Sequence, residues 1–135
     1  ILAYLLAQIA GGIGGAVLAN LMFDTPTTIS TSDRLTAGHL LGEVIATAGL
    51  VMLIFALART GRSAIVAPAV GAYIGAAYWF TSSTSFANPA AAFGRMFSDS
   101  FAGIAPGDVP AFIVAQAIGA AMGVSINRLL GQYHA

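Results

Sequence analysis

Hydrophobic residues fill four long stretches of the chain, and shorter, more polar or broken segments separate them. The stretches cover residues 1–23, 40–58, 64–80 and 109–129. A helix rises ~1.5 Å per residue, so about 20 apolar residues cross the ~30 Å hydrocarbon core of a bilayer. The pattern therefore predicts four transmembrane helices and an all-α membrane protein.

The composition strengthens this interpretation. The 135 residues are 58% hydrophobic and only 7% charged, whereas a soluble domain has about 25% charged residues. Five basic residues balance five acidic ones, and no basic run is present that could follow a nucleic-acid backbone. We expect the lipid bilayer as a partner and no nucleic acid.

Few residues could carry metal or covalent chemistry. The chain has no cysteine, and its two histidines, His39 and His134, are far apart in sequence. Neither histidine is placed by sequence to act as a base for Ser83 or Ser85. We therefore predict no metal, no cofactor and no enzymatic activity.

The arginines indicate the orientation in the membrane. Arg59 and Arg62 join the second and third spans, and Arg128 ends the fourth. The positive-inside rule puts these ends, and with them the C terminus, in the cytoplasm. Residues 24–39 are then an extracytoplasmic segment, in which hydroxyl side chains and a proline favour an exposed loop.

The segment between the third and fourth spans contains a helix start in apolar surroundings. Asn88 is of the type preferred as an N-cap, and Pro89 of the type preferred as the first helical residue. A helix over 88–101 is too short to span, so we expect a re-entrant half-helix. Non-helical backbone at that depth requires a polar cavity or burial in protein, which favours a pore or a binding site. A surface turn that begins with proline is the alternative.

Two of the predicted spans resemble each other. Residues 4–15 align without a gap on residues 112–123, and alanine, glutamine and two glycines coincide, among them Gln8 with Gln116. We interpret this as duplication with inverted repeats. Residues 1–23 would close the first repeat and residues 40–135 would form the second. Because the chain begins inside a span, we expect about seventy further residues of the first repeat upstream.

The sequence Asn88-Pro89-Ala90, followed by Phe93 and Gly94, resembles the second signature loop of aquaporins and aquaglyceroporins. The Ala-Gln-x-x-Gly sequences at Gln8 and Gln116 resemble that family's third and sixth spans, and Glu43 with Thr47 resembles its fourth. The resemblance implies a right-handed bundle of six spans and two half-helices, of which this chain holds four and one. It also implies a homotetramer in the bacterial inner membrane.

By the same resemblance, the constriction of the pore includes Ala76, Ser85 and Ala91, and the Asn-Pro-Ala sequence lines the pore. The family usually has arginine directly after that sequence, where this chain has Ala91. A methyl group in place of a guanidinium predicts a wider filter with fewer hydrogen-bond donors. Arsenite or another metalloid hydroxide, or glycerol, is the expected solute. Some bacterial members of the family that lack this arginine are similar to channels that pass arsenite.

Three polar residues within the predicted spans are candidates for structural support. Glu43 is the only acidic residue inside a span, so it must face a cavity or accept strong hydrogen bonds. We expect it to hold the backbone of the re-entrant segment, with proton relay as the alternative. Gln8 and Gln116 are expected to act in the same way, with pore lining as the alternative.

Two further functions stay open from the sequence. The same small filter residues are compatible with a water or ammonia channel. A non-conducting membrane scaffold, associating through helix faces with glycines four residues apart, such as Gly11 and Gly15 or Gly119 and Gly123, is the alternative of another class.

Overall fold

The computed structural model describes residues 1–132, so His134 lies outside the described part. The five α-helices of this part are α1 (Leu2–Met22), α2 (Ala37–Arg59), α3 (Val66–Phe80), α4 (Pro89–Gly94) and α5 (Val109–Gln132). Short 3-10 turns precede α3 (Ser63–Ile65), follow α4 (Arg95–Phe97) and precede α5 (Pro106–Asp108). All of these helices except α4, counting α3 with its preceding turn, are long and apolar enough to cross a membrane. The predicted all-α membrane fold is confirmed.

The boundaries of the spans differ from the predicted ones by a few residues. Helix α2 begins at Ala37, within the segment 24–39 that was expected to be a loop, and α5 continues to Gln132 instead of ending at residue 129. Polar residues at these ends are compatible with a helix turn outside the hydrocarbon core, so apolar content alone understates helix length.

The half-helix is shorter than the predicted range of 88–101. Helix α4 and the 3-10 turn after it end at Phe97. The carbonyl of Met96 accepts a hydrogen bond from the backbone N–H of Ser30, and the carbonyl of Phe97 accepts one from the side chain of Asn20. Because these carbonyls are bound by another part of the chain, the helix stops there.

The chain forms two compact units. Unit 1 contains residues 1–36 and 88–113, and unit 2 contains residues 37–87 and the chain from residue 114 onward. In unit 1, α4 packs on α1 at Gly12 and Gly94. A Cβ atom at Gly94 would lie 2.5 Å from the carbonyl carbon and oxygen of Gly12, and one at Gly12 would lie 2.8 Å from the oxygen of Ala90. Only glycine allows the two backbones to approach this closely.

The polar segment after α1 is bound to the segment after α4, also within unit 1. Its hydrogen bonds include Ser30 N to Met96 O at 2.7 Å, Ala105 N to Ser32 O at 2.8 Å, Ser32 Oγ to Ser100 O at 3.1 Å and Arg34 N to Asp108 Oδ2 at 2.7 Å. Ser30 and Arg34 are buried, with 2% and 6% of their surface exposed. The prediction of an exposed loop is therefore wrong for these two residues, because a backbone carbonyl 66 positions away binds Ser30 and a side-chain carboxylate 74 positions away binds Arg34.

In unit 2, α5 packs on α2 through two glycines. A Cβ atom at Gly119 would overlap the carbonyl oxygen of Val44, and one at Gly123 would lie 2.7 Å from the carbonyl oxygen of Ala48. Helix α3 is joined to α2 by the hydroxyl of Tyr73, which donates to the carbonyl of Ala46 at 2.9 Å. The glycine spacing thus marks a real helix contact here.

The same spacing marks no contact at two other places. A Cβ atom at Gly11 or Gly15 on α1, or at Gly71 or Gly75 on α3, would have no atom of another element within 4 Å among the described residues. Four-residue glycine spacing therefore predicts a face that could pack closely, and the partner has to be found separately.

Candidate functional site

The half-helix begins at Asn88, whose own side chain caps it. Asn88 is extended, with φ −158° and ψ 119°, and Pro89 takes the first helical position. The Oδ1 atom accepts hydrogen bonds from Ala90 N at 2.8 Å and Ala91 N at 3.3 Å. Because the cap uses the oxygen, the side-chain amide nitrogen of Asn88 is left to donate outward.

Asn88 and Pro89 are exposed and line a cavity of about 230 Å³ in unit 1. Its wall consists of Leu5, Gln8, Ile9, Asn88, Pro89, Ala90, Phe93 and Ile113. The cavity is therefore apolar except for two carboxamides, and the N-terminal end of α4 opens onto it. Gln8 is exposed at this wall and makes no hydrogen bond to any residue of the range 1–132.

The chain immediately before Asn88 has an unusual backbone. Thr84, Ser85 and Ala87 have φ values of 62°, 53° and 47°, in the left-handed region that residues with a side chain rarely adopt. Each such residue costs about 1–2 kcal/mol, so surrounding contacts must hold the segment.

Glu43 supplies those contacts within unit 2. Its side chain is fully buried. Oε1 accepts a hydrogen bond from Phe86 N at 2.8 Å, and Oε2 accepts from Ala87 N at 2.9 Å and from Gln116 Nε2 at 2.7 Å. All three partners are donors, and both oxygens of the side chain act as acceptors. The carboxylate thus binds the backbone N–H groups of two consecutive buried residues.

Three buried polar atoms near this segment have no hydrogen-bond partner in the described part of the chain. They are Thr47 Oγ1, Ser85 Oγ and Gln116 Oε1. Thr47 lies one turn after Glu43 on α2, and Gln116 contacts Glu43 directly. Unit 2 therefore contains a buried polar cluster around Glu43.

The three predicted filter residues have different surroundings. Ala76 is exposed on α3, and Ser85 is buried, with 2% of its surface exposed, in the strained segment. Ala91 is half-buried on α4 in unit 1, at the wall of a second cavity of about 330 Å³. Arg95 and Ser98 share that wall with small residues of α1. All three predicted positions have small side chains, and of the three only Ala91 lines one of the cavities described here.

A comparison with known proteins bears on this architecture. Over 131 residues the chain is 49% identical to the protein named Aquaglyceroporin AqpS of Rhizobium meliloti (strain 1021), an alignment that includes 96% of this chain. The chain belongs to the aquaporin superfamily. It spans 56% of the length of that relative. No family model matches the chain, and no solved structure matches it.

Two residues that organise unit 1 of this aquaporin-superfamily chain were not predicted from its sequence. Asn20 is buried near the end of α1; its Nδ2 donates to Phe97 O at 2.9 Å and to Thr27 Oγ1 at 3.2 Å. Its Oδ1 accepts from Ser98 Oγ at 2.7 Å. An amide near the end of an apolar stretch was the available signal.

Arg34 is the second missed residue. Its Nε donates to the carbonyl of Gly103 at 2.6 Å, and its Nη2 donates to the carbonyl of Phe101. The guanidinium thus fixes the chain that leads from α4 to α5. As an arginine within a polar segment, it had no feature in the sequence to distinguish it from a solvated residue. Within residues 1–132, no group of three or more His, Asp or Glu side chains could hold a metal ion.

Proposed function

We propose that this chain contributes to a transmembrane channel for the passive diffusion of small neutral solutes, with Asn88, Pro89 and Ala90 lining the pore. The observation that carries the proposal is the start of α4. Its N-terminal end and the donor side of Asn88 open onto a cavity, instead of being covered by protein. Membership of the aquaporin superfamily and the name of the relative support the same function.

The chemistry of this end of α4 favours neutral hydroxylated solutes. A helix N-terminus carries partial positive charge, which disfavours protons and cations. Because the oxygen of Asn88 is bound by Ala90 N and Ala91 N, its amide nitrogen can donate to the oxygen of a passing solute. Water, glycerol and uncharged arsenite all present such an oxygen.

The filter is proposed to consist of Ala76, Ser85 and Ala91, together with a residue from outside this chain. With alanine at position 91 the filter is wide and holds no cation of its own. We therefore propose glycerol or a metalloid hydroxide such as arsenite as the solute, and water or ammonia as the alternative. The proposal includes a homotetramer in the bacterial inner membrane, with the C terminus in the cytoplasm.

The proposed role of Glu43 and Gln116 is structural. Glu43 accepts hydrogen bonds from Phe86 N and Ala87 N, in the residues that lead directly into Asn88. Gln116 donates to Glu43 and so helps to hold its carboxylate in place. The side chain of Glu43 is bound by three amide N–H donors, none of which can take up a proton, and this supports bracing over proton relay. Gln8 is proposed to serve as an equivalent brace for the other repeat, and its exposed position beside Asn88 is compatible with an additional contact to solute.

Restoring arginine at position 91 tests the filter. Ala91 borders a cavity of about 330 Å³, which has room for the longer side chain. We expect Ala91→Arg to lower glycerol and arsenite flux into proteoliposomes by about tenfold or more, because it adds a larger side chain and a positive charge to the proposed constriction of the pore. Ala91→Met is the matched control for length without charge.

The outcomes separate the alternatives. If flux falls equally in both variants, size alone determines selection. Unchanged flux in both variants would mean that residue 91 is not in the filter. If correctly incorporated wild-type protein conducts none of glycerol, arsenite, water or ammonia above the empty-liposome level, the channel proposal fails and the scaffold alternative is favoured.

A further inference from the structure

A third cavity, of about 530 Å³, lies in unit 2 beside the C-terminal ends of α2 and α5. Its wall consists of Phe55, Arg59, Val124, Asn127, Arg128 and Gly131. None of these residues belongs to the proposed pore or to the polar cluster around Glu43. The function described so far therefore leaves this cavity unexplained.

Each of the two helices contributes one large apolar residue and one arginine to the wall. On α2, Phe55 precedes Arg59 by four residues, and on α5, Val124 precedes Arg128 by four. Residues four apart lie on one helix face, separated by about 6 Å along the axis. The cavity is consequently apolar toward the middle of both helices and cationic toward their ends.

The position of Arg59 is built into the helix contact. Its Nη1 donates to the carbonyl of Asn127 at 2.9 Å. A Cβ atom at Gly131 would lie 2.8 Å from the same nitrogen, so the guanidinium lies against α5 at a position without a side chain. Arg128 is exposed and has no hydrogen-bond partner among residues 1–132.

The two positive charges are not balanced locally. No acidic residue lines this cavity, none follows Glu43 on α2, and none occurs on α5. Guanidinium groups bind phosphate through two parallel hydrogen bonds and are enriched where phosphate is recognised. Basic pockets between transmembrane helices, with apolar walls below them, fit the headgroup and acyl chain of an acidic lipid.

We infer that this cavity binds an anionic phospholipid. The headgroup phosphate contacts Arg59 and Arg128, and the start of an acyl chain lies along Phe55 and Val124. The inference does not depend on which solute, if any, the protein conducts.

The test uses purified whole protein in nanodiscs of phosphatidylcholine with a small fraction of spin-labelled phosphatidylglycerol. We expect Arg128→Gln and Arg59→Gln each to weaken phosphatidylglycerol binding by about fivefold, the effect typical of one basic residue at a membrane surface. Arg62→Gln is the matched control, because it removes the same charge from the nearby α2–α3 connection without touching the cavity.

Arg128→Gln is the more decisive of the two variants, since Arg59 also supports the helix contact. Thermal unfolding of each variant identifies any loss of folding, and Arg128→Lys should recover part of the binding. If Arg62→Gln weakens binding as much as the cavity variants do, the lipid responds only to general surface charge, and the inference is wrong. It is also wrong if glycerol phosphate displaces the labelled lipid, because the site would then recognise a small anion without its acyl chain.

Discussion

Replacing Glu43 by glutamine is the sharpest test of how the segment before the half-helix is held. Glutamine has the same shape but one acceptor oxygen and one donor nitrogen. In the best arrangement its oxygen takes the place of Oε2 and keeps the bonds from Ala87 N and Gln116 Nε2. Its NH₂ group then faces Phe86 N, which donated at 2.8 Å to the other carboxylate oxygen.

The size of the effect follows from that mismatch. A hydrogen bond to a charged acceptor contributes about 1.5–3 kcal/mol, and a buried donor without an acceptor costs about 1–3 kcal/mol. Since the two contributions overlap, we expect Glu43→Gln to destabilise the braced conformation by about 3 kcal/mol, or about 100-fold in population. The strain at Thr84, Ser85 and Ala87 adds to the tendency of the freed segment to rearrange.

Two measurements on the whole protein check this prediction: thermal unfolding in detergent and solute flux into proteoliposomes. Both should decrease in Glu43→Gln. Asp33→Asn is the control, because Asp33 is exposed and its Oδ1 accepts only from Leu35 N, a bond that asparagine can keep. If Glu43→Gln unfolds and conducts like Asp33→Asn, the carboxylate does not hold the segment and the reasoning is refuted.

Three further substitutions test the packing. Gly94→Ala should separate α4 from α1 at a cost of about 1–3 kcal/mol and lower the unfolding temperature, whereas Gly14→Ala on the open face of α1 should not. Gly119→Ala should disturb the contact of α5 with α2 by a similar amount, measured against Gly75→Ala on α3, which has space. Arg34→Lys replaces a guanidinium, which binds two carbonyls at once, by a single ammonium group. The chain between α4 and α5 should then be held less firmly, and limited proteolysis there should become faster. If one of these three variants unfolds, or is cleaved, like the unsubstituted protein, the contact that the substitution removes does not stabilise the fold as expected.

Local chemistry explains which parts of the fold could be predicted. The four spans follow from apolar length, because a bilayer admits few structures other than helices of that length. The start of α4 follows from Asn88 and Pro89, whose capping preferences act within four residues. Its end could not be predicted, since the carbonyl of Phe97 is bound by Asn20, which lies 77 positions earlier.

The same distinction applies to the candidate site. Partners for Glu43 could be predicted from the sequence alone, because an acidic residue inside a transmembrane span needs hydrogen-bond partners or a polar cavity. Its backbone partners were not visible, because nothing in the sequence of residues 84–87 signals positive φ in the absence of glycine. The role of Arg34 could not be predicted for a related reason. It binds the backbone carbonyls of Phe101 and Gly103, and every residue has such a carbonyl.

The pairing of the segment after α1 with the segment after α4 also sets an order for biosynthesis. Asn20 and Arg34 leave the ribosome 67 to 77 residues before the carbonyls they bind. Helices α2 and α3 are therefore synthesised before Asn20 and Arg34 can gain these carbonyl partners. The hydrogen bonds between the two segments are complete only when the nascent chain has passed Asp108. A ribosome that stalls before that point leaves an inserted but open protein, exposed to membrane quality control.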